Sequence, residues 1–317
     1  MANNLIKEYW SSTIEENLFE SNDFWNQSTD LSEWSDNGKI HIPNAGGLQT
    51  YTINPSVYPL PISGRNDTSI DITLDNYASN VWSIQDAEKI FINYDKVKSM
   101  VYSLDMGLKQ LLANSTPYKW ATGISGNAAY FVKTSGAASA SFLPQYAGNI
   151  ATGTRNAPAL IDIASVKQLL DQQFVEDDGE RRALYPTVMW NNGILGLANI
   201  IQNFQYDMSR PVLPTGGAVP IYGFITYVRP DVLYTDANGV LLAINSSTGL
   251  PQTPGLTDCA AAIFWHPKYV AKAFNRTQVY YEAGRPEIQG DLMSIRVIYG
   301  AGYLRSDLKG VVMLVMA

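Results

Sequence analysis

Cysteine occurs once in this chain, at Cys259, and histidine twice, at His41 and His266. A single thiol excludes an internal disulfide and suits a reducing compartment, where a lone cysteine reads as a small buried apolar residue. The two histidines are separated by most of the sequence, and neither has a second ligand at metal spacing, so no zinc site or Ser-His-Asp triad is expected. Long apolar runs are missing: none approaches the ~18 residues of a membrane span. The opening MANNLIKEYW has neither the basic start nor the apolar core of a signal peptide. The five N-x-[ST] triplets, at Asn26, Asn66, Asn114, Asn245 and Asn275, are therefore read as chance. Phosphate-binding signatures fail as well. There is no Gly-Lys-Ser/Thr loop, and Gly300-Ala301-Gly302 is followed by Arg305 where a dinucleotide fingerprint needs its third glycine. Charge is also scarce, at 16% of residues against a usual value of about 25%.

What is abundant is apolar and aromatic. The 317 residues are 46% hydrophobic with 19 Tyr and 7 Trp, enough for a large core in two lobes and for a surface that is partly interface. A net charge of −7 argues against a dedicated nucleic-acid binder, because duplex DNA carries about one charge per 1.7 Å and repels an acidic wall.

Along the chain, residues 1–38 place Tyr9, Trp10, Phe24 and Trp25 among polar neighbours without a sustained stripe. This segment reads as an arm whose aromatics lie against the body or a neighbour. Lys39-Ile40-His41-Ile42-Pro43 alternates as a strand, and Leu48 to Asn54 and Ser69 to Leu74 are further strand candidates, together suggesting a long two-stranded projection. Its connection, Pro55 to Thr68, mixes Val57, Tyr58, Leu60 and Ile62 with Pro59, Pro61 and Gly64, too irregular for a core element and too apolar for an idle loop. Ala87, Ile90, Tyr94, Val97, Val101, Leu104, Leu108 and Leu111 recur at spacings of three and four, predicting a helix to Ala113 with Ser83 and Asp86 as a capping box.

Residues 114–160 read as loop with short strands, Asp162 to Phe174 as a second helix, and Ile194 to Phe204 as a third. Glu176-Asp177-Asp178-Gly179 is an acidic turn, Ile221 to Val228 a strand, and Val311 to Met316 a buried strand. From Ala261 the pattern predicts an apolar strand, a short amphipathic helix, an exposed connection and a second strand, with His266 capping the helix start before Pro267. Asp177, Asp178 and Glu180 are the densest carboxylates, in a turn setting that suits solvation better than paired acid–base work. The aromatics would also suit a sugar-binding groove, but they are scattered over every segment.

Several landmarks in order resemble the major capsid proteins of tailed bacteriophages, Caudoviricetes, with the Hong Kong 97-type fold. They are Lys39 to Pro43, the extended stretch Leu48 to Leu74, the Ala87 to Ala113 helix, and Asp162 to Phe174 followed by Gly179-Glu180-Arg181-Arg182-Ala183-Leu184-Tyr185-Pro186. Val219 to Phe224 and Ala261 to His266 complete the series.

The resemblance implies an α+β fold with an N-terminal arm (1–38), a first strand and extended β-hairpin loop (39–82) and a peripheral domain with a long spine helix (83–121). An axial domain (122–262), peripheral return strands (263–298) and a C-terminal axial strand (299–317) follow. It implies a structural protein, not an enzyme, with no catalytic, cofactor or metal residues, that self-assembles as hexamers and pentamers into an icosahedral shell around phage double-stranded DNA. Inter-subunit contacts are expected from Tyr51, Val57, Tyr58, Leu60, Ile62 and Arg65 on the loop and from Tyr9, Trp10, Phe24 and Trp25 on the arm. Implied partners are a portal, a separate scaffolding protein, since fewer than 40 residues precede Lys39, and decoration proteins. No membrane is involved, and the location is the virion, with the host cytoplasm during assembly. No lysine lies between Asn44 and Asn80, which argues against the loop crosslink of some relatives. Glycines 46, 47 and 64 are candidate hinges. An encapsulin-like compartment shell, or a carbohydrate-binding or hydrolytic protein, is the alternative.

Overall fold

One fourteen-residue strand near the C-terminus organises half of the molecule, and a pair of fully buried strands organises the other. The computed structural model describes residues 23–47, 51–86 except 57, 61 and 63, 96–146, 149–194, 220–244, 254–275 and 277–317. In chain order, β1 (Thr29–Asp30), β2 (Lys39–Asn44), β3 (Thr68–Thr73), β4 (Asp75–Ala78) and β5 (Trp82–Gln85) precede helix α1 (Lys96–Ala121). Then come β6 (Phe131–Lys133), helix α2 (Leu160–Gln172), β7 (Arg182–Pro186), β8 (Pro220–Ile221), β9 (Phe224–Arg229) and β10 (Leu233–Thr235). The chain ends in β11 (Cys259–Trp265), β12 (Val270–Phe274), β13 (Gln278–Arg285), β14 (Gly290–Tyr303) and β15 (Val311–Val315).

The long strand β14 is antiparallel to four others. β12 and β13 run along one edge (Val270↔Tyr303, Gln278↔Arg296) and β4 and β5 along the other (Tyr77↔Val297, Ile84↔Asp291). β1 adds in parallel beside β12. Helix α1 covers this sheet, with Leu108 and Leu112 packed in one core with Ile295, Val297 and Tyr299.

A seven-stranded sheet follows the order β8-β9-β7-β11-β15-β6, with β10 paired to β11. Every residue of β11 and β15 is buried. The two-residue repeat of a strand sends Ala261, Ile263, Trp265, Met313 and Val315 into the core shared with α1, and Ala262, Phe264, Val312 and Leu314 into a second core against Ile163, Val166 and Leu170 of α2. A strand covered on both faces needs no polar alternation, which is why Val311 to Met316 reads as one apolar run.

Several expectations change. The first helix is described from Lys96 and runs past Ala113 to Ala121, so residues 114–121 are helical rather than loop; residues 87–95 lie outside the described set. One line of its buried side chains recurs every four residues, as Leu108, Leu112, Thr116 and Trp120, and burial widens around it toward the C-terminal end to include Ala113, Ser115, Tyr118 and Ala121. Pro117 sits inside this helix, at a cost of about 3 kcal/mol. Burial of Tyr118 and Trp120, worth roughly 1.5–3 kcal/mol for each large side chain, offsets that cost. Ser83 is not a cap: it lies in β5 opposite Leu292.

The helix expected after His266 is a single 3-10 turn, Pro267–Tyr269, and the next five residues form β12, because pairing with both β14 and β1 satisfies their backbone. His266 does cap that turn, its Nδ1 accepting from the Lys268 N–H at 3.2 Å. Tyr51 to Asn54 forms no strand; the projecting hairpin is β2 with β3. The strand expected over Ile221 to Val228 is broken at Tyr222-Gly223, whose φ values of 50° and 84° turn β8 back onto β9. The helix expected over Ile194 to Phe204 lies, beyond Ile194, outside the described residues.

Candidate interaction surfaces

The hairpin β2–β3 is rooted by Ile40 and Ile72, which pack with Leu74, Ala271 and Ala273. Beyond it the connection is pinched at a polar neck. Asp67 Oδ1 accepts from the Gly46 N–H (2.8 Å) and from Arg65 Nε (2.6 Å), while Asp67 Oδ2 takes Arg65 Nη2 (2.9 Å). The Arg65 hydrogen bond, followed by the one from Gly46, holds the Asp67 carboxyl below its ordinary pKa. A Cβ on Gly46 would lie 2.1 Å from the Asn66 carbonyl oxygen, so this glycine serves close backbone approach rather than a hinge. The turn at Ser306 braces the neck through Asn44 Oδ1 (3.3 Å) and the Thr68 hydroxyl (3.2 Å).

Past the neck the apolar side chains face outward. Tyr51 is 85% exposed and Ile53 88%, with Tyr58, Leu60 and Ile62 also exposed. Of the loop residues singled out from sequence, Tyr51, Tyr58, Leu60 and Ile62 thus share one projecting segment; Arg65 belongs to its neck, and Val57 lies outside the described residues. Ile53 carries the same signal; in the sequence it falls within the strand expected over Leu48 to Asn54, and no strand forms over 51–54.

A second exposed stretch is β13, an edge strand that leaves Val279, Tyr280 and Tyr281 exposed. Apolar edges are templates for pairing, and the exposed Val279-Tyr280-Tyr281 run, ahead of the register break at Glu282, makes this strand a candidate contact surface. Trp82 on β5 and Tyr102 on α1 add exposed aromatics around the same sheet.

The arm aromatics behave differently. Phe24, 1% exposed, meets Trp120 (6.1 Å between ring centroids) and Trp265 (6.4 Å) edge-on, with the Arg229 guanidinium 5.2 Å from its ring centroid. Trp25 packs on Tyr299 (6.0 Å) and Phe274 (6.5 Å). Both therefore fill this chain's own core, and Phe24 has no surface left for a neighbour. Tyr9 and Trp10 lie outside the described residues. The groove of stacked rings that a sugar would need is not formed by the largest aromatics, since Trp120, Trp265, Tyr185 and Phe264 are all buried.

The fold does bring one chemical cluster together that spacing hid. Glu176, Asp178 and His266 offer ligand atoms within 4.8 Å of one another. His266 Nδ1 already accepts a backbone N–H, so the ring proton is on Nε2 and is donated to Asp178 Oδ1 at 3.1 Å. An Nε2 that carries a proton has no lone pair for a metal, and the Lys268 ammonium, 2.9 Å from Glu176 and 3.6 Å from Asp178, already pairs with both carboxylates. Asp178 is held down to about 2 by the Glu180 N–H first and His266 second. Burial pushes the Cys259 thiol up, away from a reactive thiolate.

The sequence matches no protein-family model and no curated protein. Its structure does have relatives. It is similar to a chain of the Cyanophage Pam1 capsid asymmetric unit (TM-score 0.68, 13% identity, covering 100% of this chain and 98% of that one). A chain from Mycobacterium phage Che8 gives a TM-score of 0.64 at 14% identity over 99% of this chain and 98% of that one. The capsid of a native GTA particle gives 0.62 at 10% identity over 99% and 96%.

Proposed function

We propose, from the Hong Kong 97-type α+β fold that this chain shares over its whole length with those phage and GTA particle chains, that it is the major capsid subunit of a tailed bacteriophage. Many copies would tile an icosahedral shell around double-stranded DNA. The observation that carries the reading is this end-to-end likeness to capsid chains, and the outward apolar loop on a clamped neck supports it.

In this reading the six-stranded sheet with α1 is the peripheral domain, and the seven-stranded sheet with α2 is the axial domain. The passage between them near the C-terminus falls after Tyr303, where β14 ends, rather than at 298. Tyr51, Ile53, Tyr58, Leu60 and Ile62 contact a neighbouring subunit, and β13 offers a further contact edge. Each interface of standard size buries about 1,600 Å², so several modest contacts hold a subunit while each alone stays reversible. A portal, a separate scaffolding protein and decoration proteins are the partners, and the virion is the destination. No enzymatic activity is part of this reading, in which the Glu176, Asp178 and His266 cluster found among the described residues serves a turn cap and ion pairs.

The test is assembly. Full-length protein, with scaffolding protein supplied, is examined by sedimentation and negative-stain microscopy beside a variant in which 51–64 is replaced by a short Gly/Ser turn that leaves the Arg65–Asp67 neck. The expected result is closed shells from the wild type and a soluble, folded, shell-less variant. Shells from the variant would remove the loop from assembly, and a wild type that never forms particles would overturn the reading.

A further inference from the structure

Two stretches carry the chain between its sheets near the C-terminus: 266–269 from β11 to β12, and 304–310 from β14 to β15. They are tied to each other. The His266 N–H donates to the Gly310 carbonyl (3.1 Å) and the Leu304 N–H to the Tyr269 carbonyl (2.9 Å). Gly310, at φ 90°, lets the Tyr269 ring lie where a Cβ would come within 2.4 Å of it.

The turn after α2 grips both stretches. Gln173 Oε1 accepts from the Gly310 N–H (3.1 Å), and the Lys309 ammonium stands 5.8 Å from the Phe174 ring centroid. Glu176 takes the Lys268 ammonium (2.9 Å) and Asp178 the His266 ring (3.1 Å). The turn is itself rigid. Buried Arg181 donates to the carbonyls of Glu176 (3.0 Å) and Val175 (2.6 Å) and to Asp171 (2.7 Å). Phe174 is held in the left-handed region at φ 60° with its ring outside, an arrangement that persists only where the surroundings impose it.

Four contacts from one turn thus converge on the two passages. We propose that the 173–178 turn is a latch that sets the angle between the two sheets, and that its release lets them turn relative to each other while each stays folded. The aromatic seam of Phe24, Trp120 and Trp265 also joins the halves, mostly by apolar contact, which is non-directional and resists separation more than rotation; its directional ties are the Trp265 Nε1 bond to the Gln27 carbonyl (2.8 Å) and the Trp120 Nε1 bond to the Ala271 carbonyl (3.0 Å). Hydrogen bonds are directional and fix the angle. Glu176 and Asp178 are both exposed, so water can reach the acidic side of the latch, while the His266 ring it holds is buried. The use of such a latch rests on the shell reading, in which identical chains adjust to non-identical surroundings; its existence does not.

The experiment uses the unassembled full-length chain, so that it is independent of shell formation. Wild type and an E176Q/D178N variant are compared by hydrogen exchange and by the spin-label distance between Ile161→Cys and Tyr281→Cys, one on each half, in a Cys259→Ala background. The expected result is exchange about tenfold faster at the His266, Leu304 and Gly310 amides, with β11 and β15 protection kept, together with a broadened distance distribution. Faster local exchange with an unchanged distance distribution would reduce the turn to local glue and overturn the proposal. So would unchanged exchange, or a loss of protection throughout the chain. If the double variant does not fold, Lys268→Met is judged by the same three readings.

Discussion

Strand β15 and the loop 51–64 are both rich in apolar residues, yet the one is wholly buried and the large apolar side chains described in the other are exposed. Val311-Val312-Met313-Leu314-Val315 alternates between two cores, so every side chain has a face to fill. Tyr51, Ile53, Tyr58, Leu60 and Ile62 are interrupted by Pro55, Pro59 and Pro61 and follow no period. Without a period there is no single face, and each proline removes a ladder donor. The lesson is that apolar content does not decide burial; the availability of a partner surface does. The loop keeps its place through the Asp67 neck, which makes no use of the apolar side chains beyond it.

The sharpest break of this contrast is Phe24→Ala. Its ring lies at the seam with Trp120 and Trp265, and removing it should cost about 3–5 kcal/mol in urea unfolding. A loss below about 0.5 kcal/mol, the range of ordinary surface changes, would return this residue to an outward arm. At the other side of the comparison, Ile62→Ser should leave subunit stability within about 0.5 kcal/mol while reducing the yield of closed shells, read from the same unfolding curve and from sedimentation.

The smallest effect concerns acid. Asp178 has its folded pKa lowered from 3.8 to about 2, so its contribution is complete above the unfolded value and is lost as pH falls through the folded one. The urea midpoints of wild type and Asp178→Asn should therefore differ by a constant amount above pH 3.8 and converge as pH falls toward about 2. A gap that stays constant down to the lower value would show that the aspartate acts through packing rather than charge.

Periodicity made much of the fold legible. The helix Asp162 to Phe174 is observed as Leu160–Gln172, the strand Lys39 to Pro43 as Lys39–Asn44, and the terminal apolar run as β15. Each is a local pattern whose repeat matches one geometry. The loop aromatics were legible too, because prolines among large apolar residues fit neither a core nor an idle turn. Three features were not. Asn114 to Ala121 continues a helix that Ser, Thr and Pro locally oppose, because Tyr118 and Trp120 gain burial there. Val270 to Phe274 became a strand because β14 and β1 were available to pair with it.

The last is the meeting of Glu176 and Asp178 with His266 across about ninety residues of chain. Sequence by itself determined which segments repeat every two residues or every three to four, which side chains must leave water, and that no disulfide could hold them. Those properties belong to covalent structure and to the short reach of backbone geometry. Only the tertiary structure decided that Phe24 closes a core, that β13 is left as an edge, and that one acidic turn grips both passages between the sheets. Such contacts join residues far apart in the chain, and their energy exists only once the sheets have brought them together.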